Sequence, residues 1–181
     1  MIYLHLTEGF EETEAITVVD LLRRADISIQ TVSMMKDLTV TGSHEIPVIA
    51  DTLFEDVNYD NCEMIILPGG GPGVQRLFEH KGLSAALKEA AQGGKFIAAI
   101  CAAPKVLAEN GLLEGKKATI YPSMESDLGN AVYKKEKVVQ DGNIITSMGP
   151  GTSVDFALKL VEVLVGAEAS QKVREAILWD R

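Results

Sequence analysis

One segment in the middle of the chain, residues 95–107 with the sequence K-F-I-A-A-I-C-A-A-P-K-V-L, constrains the fold more than any other. Residues 96–100 form an apolar run, which is typical of a strand buried on both faces of a parallel sheet. Residues 102–108 have a helical pattern, and Pro104 is tolerated in a first helical turn. A strand that passes directly into a helix makes a sharp turn, and Cys101 occupies that turn.

This turn predicts a nucleophile elbow, in which one side chain is held above the sheet at the positive end of a helix. A helix N-terminus lowers the pKa of a thiol, and the thiolate is the reactive form of cysteine. Cys101 is therefore the candidate reactive residue. The alternative is that Cys101 is a small buried apolar residue, which is the common fate of a free cysteine. The elbow alone does not decide between the two interpretations.

Composition excludes several classes of protein. The chain has 181 residues, 46% of them hydrophobic and 24% charged, which predicts one globular domain over 1–181. Its net charge of −9 is spread along the chain, which disfavours nucleic acid and anionic membranes as partners. The two cysteines form no metal-binding pattern with histidine, so we expect no metal. Without a signal-peptide pattern or a long apolar run, the expected location is the cytoplasm.

Apolar runs and helical periodicity alternate along the chain. Strands are predicted at 2–6, 27–34, 64–67, 96–100, 118–121 and 143–147, with hairpins at 40–48 (turn at 41–43) and at 132–139. Helices are predicted at 11–25, 74–80, 83–92, 102–108, from a cap at Thr152 or Ser153 to 165, and from 168 toward Trp179. Residues 51–61 are predicted to form a loop. The alternation indicates an α/β sandwich with a mostly parallel sheet and helices on both faces.

Parallel α/β sheets place their sites beyond the carboxyl ends of their strands. Segments 7–14 and 68–73 and Cys101 leave such ends, so we expect them to meet in one crevice. A carboxylic acid there can share a proton with Cys101, and Glu14 is one candidate. From spacing alone, Glu11 and Glu12 fit equally well, because all three lie in the first turn of the first predicted helix. That helix is expected to bury Ile16, Val19, Leu21 and Leu22.

Other chemical groups give weaker signals. The run Gly69-Gly70-Gly71 could donate a backbone N–H to an oxyanion, together with the N–H of Ala102. The alternative is a turn that needs positive φ angles. His44 could approach the crevice from the first hairpin. His5 is predicted to be a packed residue, His80 a solvated one and Cys62 a structural one, so no Cys-His pair can be assigned.

Four segments, G-F-E-E-T-E-A, L-P-G-G-G, A-A-I-C-A-A-P and T-S-M-G-P-G-T-S, closely resemble in this order the ThiJ/PfpI superfamily, in the branch of the Parkinson-disease-associated protein often called DJ-one. The resemblance implies a flavodoxin-like three-layer sandwich and a homodimer. By motif position it implies a reactive Cys101, a protonated Glu14 that hydrogen-bonds the sulfur, and backbone donors at Gly70 and Ala102. It also implies ready oxidation of Cys101 to a sulfinate.

The chain departs from this pattern at several positions. Tyr121 stands where many relatives have a histidine, and Ala102 stands where the protease branch has one. Met148 replaces a common arginine, while Arg24 near the expected dimer interface and His44 remain as auxiliary basic candidates. These differences argue against an intracellular peptidase and against a Cys-Glu-His glyoxalase, and no residue supports thiazole-phosphate biosynthesis.

Three functions follow as expectations. The first is a cofactor-independent enzyme of glyoxalase or deglycase type, in which Cys101 and Glu14 act on small reactive carbonyl compounds. The second is an oxidative-stress sensor whose partner is an oxidant and whose event is sulfinic acid formation at Cys101. The third is a non-catalytic flavodoxin-like binding domain, which predicts a Cys101 pKa near the ordinary value of about 8.5.

Overall fold

A seven-stranded sheet forms the centre of the protein in a computed structural model that describes residues 1–179. The strands are β1 (Ile2–Leu6), β2 (Ile29–Ser33), β3 (Thr39–Thr41), β4 (Pro47–Ile49), β5 (Thr52–Leu53), β6 (Met64–Leu67), β7 (Phe96–Ile100), β8 (Lys117–Ala118), β9 (Val132–Tyr133), β10 (Val138–Asp141) and β11 (Ile144–Ser147). The helices are α1 (Glu12–Arg24), α2 (Gly71–Glu79), α3 (Lys81–Gln92), α4 (Pro104–Glu109), α5 (Ser153–Val165) and α6 (Ala167–Ala176).

The main sheet has the order β10-β11-β7-β6-β1-β2-β5, and its neighbours are parallel except for the pair β10–β11. Alternate residues of β6 and β7 point into two separate cores, which is why both strands are apolar throughout. One core contains residues of α1, α5 and α6, and the other contains residues of α2, α3 and α4. The predicted three-layer α/β sandwich, with helices on both faces of a mostly parallel sheet, is confirmed.

The register of the central strands brings the predicted site segments to one edge of the sheet. Leu4 of β1 is paired with Ile66 of β6, and Leu67 of β6 is paired with Ala99 of β7. Because these strands are parallel, the residues that follow β1, β6 and β7 leave the sheet side by side. The predicted meeting of these three segments follows from this register.

The two predicted hairpins have different outcomes. The first is confirmed, since β3 and β4 pair antiparallel, although residues 42–46 connect them rather than the predicted turn at 41–43. The second is wrong: β9 pairs in parallel with β8, whereas β10 pairs antiparallel with β11. The two-residue turn between β10 and β11 is Gly142-Asn143, and Gly142 has a φ of 61°. A Gly-Asn pair between two strands is a hairpin signal that the prediction overlooked.

Several predicted boundaries also change. The strand predicted at 118–121 is only β8, and the loop predicted at 51–61 contains β5 and two short 3₁₀ turns. The last helix, α6, ends at Ala176, before Trp179. Ile16 is not buried on α1 but 43% exposed. Within residues 1–179, no helix has the length and apolar content needed to cross a membrane. The predicted domain 1–181 also includes Asp180 and Arg181, which lie outside the described residues.

Candidate functional site

Cys101 lies at a strained turn directly after β7. Its φ of 65° is in the left-handed region, which costs a non-glycine residue roughly 1–2 kcal/mol. Two backbone hydrogen bonds hold it: the Cys101 N–H donates to the Ser147 carbonyl (3.0 Å), and the Tyr121 N–H donates to the Cys101 carbonyl (2.8 Å). Residues 101–103 form a turn, so α4 begins at Pro104 and not at Ala102 as predicted. The backbone is that of a nucleophile elbow.

Glu14 is the carboxyl group that the fold brings to Cys101. It is completely buried in the first turn of α1, and its Oε2 accepts a hydrogen bond of 2.7 Å from the Gly69 N–H. A Cβ atom added at Gly69 would lie 2.6 Å from Glu14 Oε2, 3.0 Å from Cys101 Sγ and 2.5 Å from Cys101 Cβ. The missing side chain of Gly69 therefore leaves room for the carboxyl and the sulfur to approach each other. Glu14, Gly69, Gly70, Cys101 and Ala102 together are called the thiol crevice below.

Burial raises the pKa of both titratable groups in the thiol crevice. Burial raises the pKa of Glu14 to about 7, although the hydrogen bond from Gly69 and the contact with Cys101 oppose the shift. Burial and then the charge of Glu14 raise the pKa of Cys101 to about 12. Because the groups interact, the protons belong to the pair: one leaves near neutral pH, and the second leaves only in strong alkali.

The prediction that the helix lowers the pKa of Cys101 is therefore wrong for the thiol beside an ionised Glu14. Cys101 precedes the first residue of α4 by three positions, and desolvation together with the neighbouring carboxylate outweighs the helix. Thiolate near neutral pH arises when the remaining proton of the pair is on Glu14.

The two predicted backbone donors are directed at the sulfur. The backbone N–H groups of Ala102 and Gly70 both favour the Cys101 thiolate and lower its pKa, without cancelling the effect of burial. Gly70 has a φ of 93°, and a Cβ there would come within 2.2 Å of the Gly9 carbonyl oxygen. The position thus requires glycine. Two N–H groups beside one sulfur could also hold a negatively charged oxygen on a carbon bonded to that sulfur.

An open cavity of about 450 Å³ leads to the sulfur. It is lined by Glu11, Ser43, His44, Gly70, Gly71, Cys101, Ala102, Tyr121, Met124 and Pro150. Cys101 is partly exposed in this cavity, whereas Cys62 is only 1% exposed elsewhere in the protein, and burial raises its pKa to about 11. The cavity therefore gives a small molecule access to one of the two thiols.

His44 reaches this cavity but belongs to a separate ion cluster. Its Nδ1 lies 2.8 Å from Glu12 Oε2 and 3.7 Å from Glu11 Oε2. Burial would raise the pKa of Glu12, but hydrogen bonds from the His44 side chain and from backbone N–H groups lower it to about 2. The hydrogen bond to Glu12 and the charge of Glu11 raise the pKa of His44. His44 is thus engaged with two carboxylates at the cavity edge.

The remaining auxiliary candidates are placed differently. Tyr121 lines the cavity and is 46% exposed, with its ring close to Gly149. Arg24 does not line the cavity of its own chain: it lies in the last turn of α1 and pairs with Asp20 at 2.9 Å.

Sequence reasoning missed part of this arrangement. The buried Glu12, its contact with Ser43 and the gap at Gly69 were not foreseen. One of these features, the burial of Glu12, had a signal. Glu12 precedes buried Ala15 by three residues, and Glu14 precedes buried Val18 by four, so each glutamate shares a helix face with the core. The gap at Gly69 had no signal, because it depends on which strands are neighbours.

Comparisons with known proteins agree on one group. A profile of the DJ-1/PfpI family matches residues 1–163. The Drosophila melanogaster protein dj-1beta is 42% identical over 175 residues, which cover 96% of this chain and 94% of that protein. The Caenorhabditis elegans protein named glutathione-independent glyoxalase DJR-1.2 is 32% identical over 168 residues, 92% of this chain and 89% of that protein.

Two further comparisons concern length and structure. Arabidopsis thaliana protein DJ-1 homolog B is 37% identical over 98% of this chain, but this chain spans only 41% of that protein's length. The solved structure of oxidized Toxoplasma gondii DJ-1 has a TM-score of 0.95 and 35% identity, and it covers 99% of this chain and 98% of its own.

Proposed function

The chain belongs to the DJ-1/PfpI family, and from this membership we propose that it converts small reactive carbonyl compounds by glyoxalase or deglycase chemistry at Cys101. The observation that carries the proposal is the approach of the buried Glu14 carboxyl to Cys101 across the gap at Gly69, at the end of an open cavity. The relative from C. elegans that is named a glyoxalase supports the same reaction class.

The first step is addition to an aldehyde. With the proton of the pair on Glu14, the Cys101 sulfur forms a bond to the aldehyde carbon of methylglyoxal, and the electron pair of the C=O bond moves to its oxygen. The N–H groups of Gly70 and Ala102 stabilise this oxyanion, and Glu14 then donates its proton to it. The product is a hemithioacetal on Cys101.

The second step moves hydrogen within the bound molecule. The Glu14 carboxylate removes the proton from the former aldehyde carbon and returns it to the neighbouring ketone carbon, while the hydroxyl proton of the hemithioacetal is transferred to the ketone oxygen. The first carbon is thereby oxidised to a thioester and the second is reduced to an alcohol. Water then hydrolyses the thioester, which releases a hydroxy acid and restores the thiol, so no external oxidant or reductant is consumed.

Two cysteine variants test this function. Cys101→Ser should lower methylglyoxal turnover by more than about a hundredfold, because a serine hydroxyl is a far weaker nucleophile at neutral pH. Cys62→Ser is the matched control, since Cys62 is buried away from the cavity, and it should retain turnover. Full turnover by Cys101→Ser would refute the proposal.

A second function has its own support. Sulfur oxidation needs an accessible thiolate and no bound substrate, and the relative from T. gondii is named as oxidized. Cys101 would react with two molecules of peroxide, gaining two oxygen atoms and releasing two molecules of water. Intact mass and peptide mapping after graded peroxide treatment test this. If two oxygens do not add at Cys101 before other residues react, the sensor function is rejected.

We also propose that the chain acts as a cytoplasmic homodimer. Ile16 on α1, Ile46 in the β3–β4 loop and Ile49 on β4 are 43%, 54% and 75% exposed, an apolar surface that a second copy would cover. Sedimentation velocity at micromolar concentration tests the assembly. A single monomeric species would reject it.

A further inference from the structure

We propose that the cavity at Cys101 selects uncharged carbonyl compounds over carboxylated ones, because Glu11, Glu12 and His44 give its entrance a net negative charge. These three residues are called the acidic rim. The identity of the substrate as a carbonyl rests on the proposed function. The preference for uncharged molecules at Cys101 does not, because it applies to any reagent that reaches the sulfur.

The sign of the rim charge does not depend on the protonation of His44. The His44 ring contacts both carboxylates, and the Ser43 hydroxyl donates to Glu11 and to Glu12 at 3.2 Å each. Two carboxylates and one imidazolium leave a charge of about −1, and a neutral imidazole leaves about −2. The rim is therefore negative in either state.

This charge has no cation beside it in the cavity. Glu11 and His44 share the cavity with Cys101, and among residues 1–179 no lysine or arginine lines it. Two basic residues on the helices nearby, Arg76 on α2 and Lys105 on α4, have other partners. Arg76 donates to the carbonyls of Glu8 and Pro72, and Lys105 lies 3.7 Å from Asp127. Of the groups of its own chain, a carboxylate that entered the cavity would meet one possible cation, His44, which two carboxylates already outweigh.

The backbone donors of the thiol crevice do not reverse this preference. The N–H groups of Gly70 and Ala102 are directed at the sulfur, so they act on an oxygen bonded to the carbon that the sulfur attacks. The carboxylate of a carboxylated aldehyde lies on a different carbon, so it is not the oxygen that these donors stabilise. The crevice thus stabilises charge that develops at the reacting carbonyl and disfavours charge that the substrate already carries.

A pair of alkylating reagents isolates this effect. Iodoacetamide is neutral and iodoacetate is anionic, while their leaving group and size are nearly the same. The measurement is the ratio of their rates at Cys101, followed by peptide mass spectrometry and divided by the ratio for Cys101 in protein unfolded with urea. At low salt we expect about a threefold preference for iodoacetamide in the native protein, which added salt should diminish.

Three variants make the test specific. Glu11→Gln should bring the ratio back toward that of unfolded protein, whereas His44→Gln should increase the preference, because it removes positive charge. Glu89→Gln is the matched control: it changes the net charge equally but lies at a different cavity. If Glu11→Gln loses its native circular dichroism spectrum, the increased preference of His44→Gln for iodoacetamide still tests the proposal. A native ratio equal to the unfolded one, or no response to either rim variant, overturns the proposal.

Turnover of methylglyoxal and of 4,5-dioxopentanoate, a 2-oxoaldehyde that carries a carboxylate, completes the test. We expect kcat/KM for methylglyoxal to exceed that for 4,5-dioxopentanoate, and Glu11→Gln to narrow the difference by about threefold. Equal turnover of both compounds would overturn the substrate preference. If neither compound is turned over while the alkylation ratio behaves as expected, the proposed enzymatic function fails and the charge selectivity of the site stands.

Discussion

Two regions of this protein bury an ionisable side chain completely, with opposite consequences for the chemistry of that side chain. One is the thiol crevice, with Glu14. The other is a group of rings, Tyr3, His5, Phe54, Tyr59 and His80, called the His5 cluster. Glu14 and His5 are both fully buried. His5 Nε2 lies 2.6 Å from the Tyr59 hydroxyl, and the two rings are stacked with their centroids 6.0 Å apart.

The difference lies in what faces the buried group. Glu14 faces a second titratable group, Cys101, and an open cavity. His5 also faces titratable groups, the Tyr59 hydroxyl and His80, but it lines no part of that cavity. Burial lowers the pKa of His5 to about 4, with the Ile66 backbone opposing the shift and the charge of His80 adding to it. In the His5 cluster the charged form is simply excluded. In the thiol crevice, either Glu14 or Cys101 can hold a proton at the end of an open cavity, and acid–base chemistry at neutral pH requires such an exchange. Burial of an ionisable group alone does not identify a site.

The largest effect that separates the two regions is expected from Gly69→Ala. The added methyl would overlap the Glu14 carboxyl and Cys101 Cβ, so methylglyoxal turnover should fall by more than about a hundredfold. Overpacking should also lower the free energy of unfolding by about 1–3 kcal/mol. Gly71→Ala is the control, because a Cβ there meets nothing within 4 Å. Equal turnover in both variants would show that the gap at Gly69 is not needed.

The next effect is on the pH dependence of stability. His5 titrates at about 4 folded against 6.5 unfolded, so its contribution is complete above pH 6.5 and is lost as pH falls toward 4. Glu14 titrates at about 7 folded against 4.5 unfolded, so its contribution is complete below pH 4.5 and is lost as pH rises toward 7. Each contribution to the free energy of unfolding amounts to at most about 3 kcal/mol. Between pH 4.5 and 6.5 the two contributions change with pH in opposite directions.

When one of the two groups is removed, the free energy of unfolding should therefore show the pH dependence that the other group causes. In urea unfolding between pH 4.5 and 6.5, Glu14→Gln should become more stable as pH rises, relative to wild type. His5→Leu should become less stable over the same interval. The exposed Glu89→Gln should follow the wild-type curve. If both core variants kept the wild-type slope, neither buried group would be titrating between the folded and unfolded states.

The sequence predicted the fold well where a single pattern determined the structure. β1, β6 and β7 are buried on both faces, so their apolar runs were sufficient, and the chain turns at Cys101 where strand and helix patterns meet. His5 was correctly predicted to be packed, because it lies within such a run. The pairing of β8 with β9 was missed since two-residue strands have no periodicity to read.

The chemistry of the site was less predictable. Three glutamates in one turn cannot be ranked by spacing, and the pKa of Cys101 depends on burial and on Glu14 more than on the helix that follows. The prediction of a solvated His80 was also wrong. Its ring is half-buried against Phe54, and its Nδ1 accepts a hydrogen bond from the Leu83 N–H at the start of α3. Each of these features depends on neighbours that are distant in sequence.

A smaller effect is expected on the reactivity of Cys101 itself. In wild type, a share of thiolate should appear as the pair loses its first proton near pH 7. In Glu14→Gln the carboxylate that raises the pKa of Cys101 is absent, so the thiol should titrate alone in a single step, and iodoacetamide alkylation at pH 8 should be about tenfold faster than in wild type. The measurement is the alkylation rate from pH 5 to 11, with the exposed Glu89→Gln, which lies at a different cavity, as the control. A step near pH 7 that persisted in Glu14→Gln would contradict proton sharing.

The smallest effect tests whether the two regions are independent. Tyr59→Phe removes the hydroxyl that contacts His5 Nε2, so the free energy of unfolding should fall by about 1 kcal/mol, because a buried ring nitrogen loses its partner. Tyr133→Phe is the control, since the Tyr133 hydroxyl makes no hydrogen bond within residues 1–179, and its stability should hardly change. Neither variant should alter the alkylation profile of Cys101. If Tyr59→Phe shifted that profile, the His5 cluster would influence the proton of the thiol crevice, and the two regions would have to be treated as one coupled system.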